Sequence, residues 1–400
     1  MLNDRKINLS PPDITNEEIE AVTEVLKSGW ITTGPVTKRF ETEISAFCGA
    51  DRTACLNSAT AALETTLRLL EIGPGDEVIT TAYTYTASAS VIDHVGAKIV
   101  MVDSGKDSFH IDYDGLEKAI TPKTKAVIPV DIAGVMCDYN RIKEILESKK
   151  SIFNPTNDLQ KAIGRVAIVA DAAHSMGAVC DGKRSGEAAD FTCFSFHAIK
   201  NVTTAEGGAL SWTTKNGISD DDIYRNIMLL TLHGQNKDAL AKAKLGGWEF
   251  DIKCTGYKCN MTDIAAAIGS VQLKRYPELL KRRVEISKLY DEGLRGLPCS
   301  CIEHENDNFS SSRHLYLVRM DGKDAKQRDE VFYKMAEKGI ATLVHYKPLP
   351  MMTAYKNLGF DINDYPNAYN QYANEISLPI HTLLSDDDVM YVIENFKKCI

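Results

Sequence analysis

The chain of 400 residues lacks any long apolar run, and no stretch approaches the roughly eighteen residues of a membrane-spanning helix. It also lacks an excess of positive charge, because 46 Lys and Arg stand against 55 Asp and Glu, for a net charge of −9. A broad nucleic-acid surface is therefore not expected. The first residues, which include Asp4, Arg5 and Lys6, lack the apolar core of a signal peptide. These absences predict a cytoplasmic protein that binds neither membrane nor nucleic acid.

The ten cysteines lack the clustered spacing of a disulfide framework. The closest groupings are Cys299-x-Cys301 and Cys254-x4-Cys259, and neither has a histidine or a second cysteine pair at zinc-binding spacing. The cysteines are therefore interpreted as free thiols, and no metal site is expected.

The chain contains alternating short apolar strands and helices, and its length fits two domains. The first helix begins at a capping box of Thr15 and Glu18, places Ile19, Val22 and Leu26 on one face, and ends at Gly29. Such alternation is typical of crossover units and predicts an α/β fold with a mostly parallel, buried sheet. The predicted strands are 78–81, 98–102, 126–130 and 166–170, and the predicted helices are 60–70, 87–93, 141–148 and 262–275.

The pattern changes past about residue 285, where a strand at 314–320 and helices at 329–338 and 386–398 are predicted. We therefore expect a large domain over 1–280 and a smaller α+β domain over 281–400, with the N-terminal segment packing on the smaller one. The segment 149–164 has weak periodicity and Asn-Pro turn chemistry, which favours a surface excursion without an assigned role.

Two residues at expected strand ends carry chemistry, because ligands gather at the carboxyl ends of parallel strands. Asp171 directly follows an apolar strand and can pair with a cationic ring nitrogen, although a cap or loop carboxylate has the same signature. Lys200 follows an aromatic strand, and this segment alone favours a solvated charge over a catalytic amine. Together with a phosphate site, the two residues supply what a Schiff-base cofactor requires.

The candidate phosphate site is the start of the helix that follows Asn57-Ser58-Ala59-Thr60. Free N–H groups and the helix dipole at such a start suit a phosphate, although a simple N-cap by Ser58 has the same sequence. Ser195 is a second hydroxyl that can reach the same group. The pair Gly207-Gly208 allows close backbone packing or forms an ordinary turn.

These segments, in this order, resemble the DegT/DnrJ/StrS family of sugar aminotransferases, which are fold-type I pyridoxal-phosphate enzymes. The resemblance covers nearly the whole chain. The matching blocks are SGWITTGP (28–35), NSATAAL (57–63), GPGDEVI (73–79), DAAH (171–174), SFHAIKN (195–201), EGG (206–208) and GYKCNMTDI (256–264). Departures are Ala170, where many relatives have Glu, Cys259, a position often aromatic, and the long segment 149–164.

The resemblance implies a role for each matching residue. Lys200 would form the Schiff base with pyridoxal 5′-phosphate, Asp171 would pair with its ring nitrogen, and His174 and Tyr85 would lie against the ring. The phosphate would be held by Ser58, Ala59, Thr60 and Ser195. Asn260 would reach the same phosphate from a partner subunit, which implies a homodimer with shared sites.

The resemblance also implies a substrate class. Family members that dehydrate sugars have histidine in place of the Schiff-base lysine, so Lys200 favours transamination. The blocks around Trp30, Lys200 and Asn260 most resemble those of enzymes that use L-glutamate to aminate C4 of UDP-linked 4-keto-6-deoxy-N-acetylhexosamines for surface polysaccharides. Amination at C3 of a dTDP-3-keto-6-deoxy sugar and a non-catalytic, cofactor-binding regulatory protein are the alternatives.

Substrate contacts are expected from Trp30 and Thr32, which lie in a family block. His345 is a further candidate, with a purely structural histidine as the alternative. The basic run 281–283 either meets a diphosphate or forms a solvated helix face, and the solvated face is favoured.

Overall fold

The computed structural model describes residues 5–237 and 248–400. Its main feature is a seven-stranded sheet in which one strand, Gly208–Trp212, runs antiparallel to both neighbours and all other pairs are parallel. The predicted α/β fold with a mostly parallel central sheet is therefore confirmed. In spatial order the strands are β1 (Arg52–Leu56), β9 (Gly208–Trp212), β8 (Phe191–Ser195), β5 (Ala167–Asp171), β4 (Thr124–Ile128), β2 (Glu77–Thr81) and β3 (Lys98–Val102).

Helices cover the sheet and form the rest of the core, and most begin at a side-chain cap of the kind that Ser58, Asp138 and Thr262 provide. Within the described residues, no helix is long and apolar enough to cross a membrane. The α-helices of the described ranges are Asn16–Ser28, Pro35–Cys48, Ala59–Leu69, Ala87–His94, Tyr113–Ala119, Tyr139–Ser148, Asp158–Ile163, Asp220–Thr231, Asp263–Leu294, Ala325–Glu337, Thr353–Asn357, Pro366–Ala373 and Asp386–Cys399.

A second, antiparallel sheet lies in the C-terminal part of the chain, with β12 (Tyr316–Met320) between β10 (Cys299–Cys301) and β13 (Glu375–Leu378). The N-terminal segment joins this region, because the Ile7 N–H donates to the Gly339 carbonyl at 2.8 Å. Three short strands, β6 (Val179–Cys180), β7 (Lys183–Arg184) and β11 (Phe309–Ser310), form a small third sheet. The division into domains at residue 280 stays a prediction, since the helix Asp263–Leu294 runs through that position.

The helix predicted at 262–275 extends to Leu294 and contains Pro277. A proline in a helix interior removes one backbone hydrogen bond and usually ends or bends a helix. Burial outweighs that loss, because Leu279, Ile286 and Tyr290 continue the apolar face past the proline.

The expected buried face of the first helix is wrong. Ile19 and Leu26 are exposed, whereas Glu18 and Val25 are buried. Glu18 lies inside because Arg275 donates to its carboxylate at 2.5 Å and Gln272 at 2.8 Å, and this pairing rotates the helix relative to a purely apolar interface.

The segment 149–164 is more ordered than a surface excursion. It contains the helix Asp158–Ile163, which buries Leu159, and Gln160 donates through its side-chain amide to the Leu70 carbonyl at 2.6 Å. Two buried side chains, those of Leu159 and Gln160, anchor this segment. Its helix of 6 residues is too short to produce a recognisable apolar periodicity in the sequence.

A buried ion pair joins the strands on which the candidate site depends. Asp190, just before β8, accepts hydrogen bonds from Arg165 at 2.7 and 3.2 Å and from the Ile168 N–H of β5 at 2.8 Å. Burial alone would raise the pKa of Asp190, but Arg165 and Lys215 hold it below its ordinary value. The pair therefore stabilises the fold at neutral pH, and this contribution disappears as the pH falls through the lowered pKa.

We predict that Asp190→Ala lowers the free energy of unfolding by about 3–5 kcal/mol, because it removes the buried carboxylate that Arg165 and Lys215 share. Glu24→Ala, which removes an exposed partner of Lys27, is the control and should change stability by less than about 0.5 kcal/mol. Denaturant unfolding of both variants checks this prediction. Equal losses of unfolding free energy in the two variants would show that the buried ion pair stabilises the fold no more than the exposed one.

Candidate active site

The carboxyl ends of the central strands bring the candidate residues to one edge of the sheet. β5 ends at Asp171 and β8 ends at Ser195, and these neighbouring strands are parallel. Lys200 follows five residues after Ser195 in a turn closed by the hydrogen bond from its N–H to the His197 carbonyl at 2.9 Å. The parallel arrangement of the two strands thus brings together an acid, Asp171, a hydroxyl, Ser195, and an amine, Lys200.

Asp171 is a buried carboxylate whose hydrogen bonds come from neutral groups. Ser88 donates to Oδ2 at 2.6 Å and the Ala173 N–H donates to Oδ1 at 3.2 Å. Burial raises the pKa of Asp171 above its ordinary value, while these donors and the nearby Lys200 charge act in the opposite direction. A carboxylate so placed is stabilised by any cation that reaches it, and a protonated pyridine nitrogen is such a cation.

Lys200 lies close enough to Asp171 for the two charges to interact. Burial lowers the pKa of Lys200 to about 8, although the Asp171 carboxylate opposes the shift. A lysine whose amine is partly neutral near physiological pH is a competent nucleophile and base. The solvated-charge alternative for Lys200 does not describe this environment.

The start of the helix Ala59–Leu69 has the shape of an anion cradle. Ser58 caps it by accepting from the Ala61 N–H at 3.0 Å, while the N–H groups of Ala59 and Thr60 have no partner inside the helix. Gly208 of β9 passes so close that an added Cβ would lie 2.3 Å from the Ser58 carbonyl carbon. Ser195 pairs with Gly208 in the sheet, so both of the predicted hydroxyls, on Ser58 and Ser195, border this cradle.

These observations allow a test of whether pyridoxal 5′-phosphate fits the residues present. The helix start with its glycine-lined wall suits a phosphate, the buried acid suits the ring nitrogen, and the perturbed lysine suits the aldehyde. All three groups fit the cofactor.

His174 is a buried, neutral imidazole with a defined tautomer. The Ala133 N–H donates to its Nδ1 at 3.2 Å, so the ring proton resides on Nε2, 3.2 Å from the Tyr346 hydroxyl. Burial lowers the pKa of His174 well below its ordinary value, and the Lys200 charge lowers it further. The ring of His314 packs 4.3 Å away, centroid to centroid.

Tyr85 lies on the exposed side of this cluster. Its side chain is 62% exposed, and its ring centroid is 5.9 Å from that of Tyr346. An exposed aromatic ring beside a cluster of buried polar groups is available to cover a flat ligand, and the stacking role of Tyr85 stays a prediction.

His345 is buried and belongs to a polar chain that leads away from the lysine. Its Nδ1 lies 2.8 Å from the Ser377 hydroxyl oxygen, which lies 2.6 Å from a carboxylate oxygen of Glu375. Its backbone N–H donates to the other Glu375 oxygen at 2.9 Å, and the Tyr83 hydroxyl donates to its carbonyl at 2.6 Å. Burial lowers the pKa of His345 to about 3, so the ring is neutral at physiological pH.

The other predicted contacts lie around the start of the long helix. Asn260 sits beside Leu56 of its own chain, and its side-chain amide donates to the Thr33 hydroxyl. Trp30 donates through its indole N–H to the Thr33 carbonyl at 3.2 Å, and Thr32 is exposed. Asp263 anchors the loop by accepting from the Gly34 N–H at 2.7 Å.

The three basic residues 281–283 lie in different environments, so neither a shared diphosphate contact nor a fully solvated helix face describes all of them. Arg283 is buried and donates to three backbone carbonyls, those of Arg313, His314 and Ile380. Arg282 pairs with Asp386, and Lys281 is exposed. No group of three or more potential metal ligands occurs among the described residues.

Four residues of the cluster were missed by sequence reasoning. Ser88 lies in the first turn of the helix Ala87–His94 and is buried against Asp171, which is distant in sequence. Asn201 and His314 hydrogen-bond at 3.0 Å but are far apart in sequence, and Tyr346 reaches His174 from the C-terminal part of the chain. No local signal indicates those three contacts.

Comparison with known proteins gives the same assignment over the whole chain. The family model of the DegT/DnrJ/EryC1/StrS aminotransferases matches residues 12–397. Spr1654 of Streptococcus pneumoniae in its PLP-form is 52% identical with a TM-score of 0.96, and the match covers 99% of this chain and 98% of that one. PseC of Helicobacter pylori, an aminotransferase involved in the biosynthesis of pseudoaminic acid, is 29% identical with a TM-score of 0.85, covering 99% of both chains.

A curated relative extends the comparison to sequence alone. The spore coat polysaccharide biosynthesis protein SpsC of Bacillus subtilis is 38% identical over 389 residues, which are 96% of this chain and 95% of SpsC. The match of the family model over nearly the whole length and this relative agree with the site geometry. The chain belongs to the DegT/DnrJ/EryC1/StrS aminotransferase family.

Proposed function

We propose that this aminotransferase moves the amino group of L-glutamate to C4 of a UDP-linked 4-keto-6-deoxy-N-acetylhexosamine, in the synthesis of a surface polysaccharide. Its cofactor is pyridoxal 5′-phosphate. The observation that carries the proposal is the convergence of Lys200, Asp171 and the Ser58 cradle at one edge of the sheet. The matching sequence blocks and the printed names of relatives supply the sugar.

The buried acid has an electrostatic task. When bound, pyridoxal 5′-phosphate supplies an electron sink for the carbanion that forms at the carbon losing its proton. Asp171 favours the protonated ring nitrogen, because an opposite charge in a buried position stabilises the cation. Ser88 orients the carboxylate for this contact by its 2.6 Å hydrogen bond.

Lys200 has two tasks, holding the cofactor and moving protons. Once released by the amino donor, its amine can take a proton from one carbon and return it to another as a general base and acid. The pKa of about 8 suits both directions, since the amine gains and loses a proton near physiological pH. The same lysine serves both halves of the exchange, which predicts ping-pong kinetics.

His174 contributes a flat, uncharged surface. With Nδ1 held by the Ala133 N–H, the ring cannot turn freely, and its low pKa keeps positive charge away from Lys200. We assign His174 and Tyr85 to the two sides of the bound ring. This assignment rests on the family resemblance and on their positions beside Tyr346.

The identity of the sugar rests on relatives. Spr1654 is named as a sugar aminotransferase, SpsC carries a name from spore coat polysaccharide biosynthesis, and PseC acts in the biosynthesis of pseudoaminic acid. Trp30, Thr32 and His345 are the proposed sugar contacts. The choice of C4, of UDP and of L-glutamate comes from the blocks around Trp30, Lys200 and Asn260.

We propose further that the active unit is a homodimer in which Asn260 of each subunit reaches the phosphate in the other. Asn260 lies in the segment before the long helix and is partly exposed, and the residues that precede it in sequence include the exposed apolar side chains of Trp248, Ile252 and Tyr257. Exposed apolar side chains in a segment that leads to a site residue suit burial against a second copy of the chain.

Lys200→Ala is predicted to abolish the yellow absorbance band of the lysine-bound cofactor and the spectral response to L-glutamate. The wild-type enzyme should lose that band when glutamate is added, because the amino group stays on the cofactor. Visible spectra of both proteins loaded with pyridoxal 5′-phosphate check this. Lys281→Ala, an exposed lysine outside the cluster, is the control and should behave as wild type.

The substrate assignment predicts that L-glutamate supports amination of a UDP-4-keto-6-deoxy-N-acetylhexosamine with kcat/KM at least about tenfold above that for a dTDP-3-keto-6-deoxy sugar. Mass spectrometry detects the amine, and proton NMR locates it on the ring. If only the dTDP sugar is aminated, the position of amination is C3. If L-glutamate converts the cofactor but neither sugar is aminated, L-glutamate remains the assigned donor and both sugars are rejected as substrates.

Shared sites predict complementation between two inactive variants. In mixed dimers of Lys200→Ala and Asn260→Ala subunits, one of the two sites retains both wild-type residues, so mixing should restore activity toward about a quarter of the wild-type value. Unmixed variants measured side by side give the baseline. If denaturation and joint refolding of the two restore nothing, Asn260 does not act across subunits.

A further inference from the structure

The chain formed by Glu375, Ser377 and His345 has a feature that the amination chemistry does not use. Glu375 and Ser377 alternate along β13, so both side chains lie on the same face of the strand and point toward His345. Glu375 and Ser377 are fully buried and His345 is 5% exposed. A buried carboxyl, a hydroxyl and an imidazole therefore form one hydrogen-bonded line with heavy-atom distances of 2.6 and 2.8 Å.

The outer nitrogen of His345, Nε2, ends this line. Within the described ranges, Nε2 makes no protein hydrogen bond, and it is not among the buried polar atoms that lack both a partner and solvent contact. The charge of Lys200 lowers the pKa of His345, and a charge on His345 would in turn lower the pKa values of His174 and His314. Nε2 thus borders the space around the lysine, where a substrate must bind.

We propose that Glu375 and Ser377 are positioning residues that determine the tautomer of His345, so that the proton on Glu375 decides whether Nε2 donates or accepts a hydrogen bond. With Glu375 protonated, its O–H donates to Ser377, the Ser377 hydroxyl donates to Nδ1 of His345, and the imidazole proton resides on Nε2. The contact between Nε2 and an oxygen of the sugar rests on the proposed function, whereas the coupling of the three groups does not.

Loss of one proton from the line reverses it. The Glu375 proton passes to the Ser377 oxygen, the Ser377 hydroxyl proton passes to Nδ1 of His345, and Nε2 releases its proton to water and becomes an acceptor. The Ser377 hydroxyl then donates to the carboxylate, and Nδ1–H donates to Ser377. The ring is neutral in both states, and the line as a whole has lost one proton. The backbone N–H of His345, which donates to the second carboxyl oxygen at 2.9 Å, is satisfied in both states.

The surroundings set the pH at which the reversal occurs. Burial raises the pKa of Glu375 to about 8, although Ser377, the His345 N–H and the Arg328 charge lower it. Arg328 approaches from the helix Ala325–Glu337 and donates to the Glu375 carbonyl at 3.0 Å. Other groups that face the line are Tyr83, Tyr346, Lys200, His174 and His314, with Arg319 opposite Glu375 in the sheet.

At pH 7 Glu375 is therefore mostly protonated and His345 presents an N–H donor. A donor at this position suits a carbonyl or hydroxyl oxygen of a keto sugar. Above about pH 8 the same nitrogen has a lone pair and no hydrogen. Its hydrogen bond to a carbonyl oxygen is then lost, because neither atom can donate.

The test compares sugar KM across pH in the wild-type holoenzyme and in three variants, with the UDP-4-keto-6-deoxy-N-acetylhexosamine as substrate. In the wild type, KM for the sugar should rise about tenfold between roughly pH 7 and pH 9.5, the size of one lost hydrogen bond. KM for L-glutamate should not follow. Glu375→Gln mimics the protonated acid and should keep the wild-type pH 7 value throughout, whereas Ser377→Ala should show a raised KM without a pH transition.

Ser185→Ala is the matched control, because Ser185 is a buried serine whose hydroxyl has no partner among the described residues. It should retain the wild-type transition. A transition that persists in Ser377→Ala would overturn the proposal, because it would originate in another group such as Lys200. Absence of a transition in the wild type would also overturn it.

The tautomer itself can be measured without any sugar, which separates this inference from the proposed function. Nitrogen-15 NMR of histidine-labelled holoenzyme, with His345 identified by its absence in His345→Gln, should show the proton moving from Nε2 to Nδ1 as the pH rises through about 8. A tautomer that stays constant sinks the proposal. If the UDP sugar is not a substrate, the KM series is repeated with the dTDP-3-keto sugar, and the same outcomes decide.

Discussion

The burial of the Asp171 carboxylate at the end of β5 is the constraint on which the rest of the site depends. A buried acid that receives hydrogen bonds only from Ser88 and the Ala173 N–H is costly unless a cation completes its environment. The parallel sheet makes this placement possible, because the ends of β5 and β8 lie side by side and deliver Lys200 to the same region. The other features suit the same ligand. The start of the helix Ala59–Leu69, beside Gly208, suits its phosphate, and the neutral histidines suit its planar ring.

Neutral polar groups dominate the walls of that place. His174, His314 and His345 all have pKa values lowered by burial, and Lys200 reinforces the shift in each. Each ring is held in one orientation by a hydrogen bond to Nδ1, from the Ala133 N–H, with Asn201 or with Ser377. The site thus places its positive charge on the lysine and uses the imidazoles for shape and for directional hydrogen bonds.

Features that depend on residues close together in the chain can be predicted from the sequence. Asp171 after an apolar strand and the helix start at Ser58 are local patterns, and the alternation of elements indicates a parallel sheet. Ser88, Asn201, His314, Tyr346 and the Glu375–Ser377 pair become part of the site only through contacts between distant segments, which periodicity cannot register. The buried Glu18 and Arg283 were misjudged for a related reason, since charged residues are assigned to solvent until a partner across the fold is known.

The helix Asp263–Leu294 links the site to the C-terminal core as a mechanical lever. At about 1.5 Å per residue its 32 residues span roughly 48 Å. One end begins three residues after Asn260, and the other contributes Ile286 and Tyr290 to the C-terminal core. Pro277, near the middle, is where a missing hydrogen bond makes bending least costly. A tilt of the C-terminal core would bend the helix at Pro277, so only part of it would reach the segment that carries Asn260, the residue proposed to contact the phosphate.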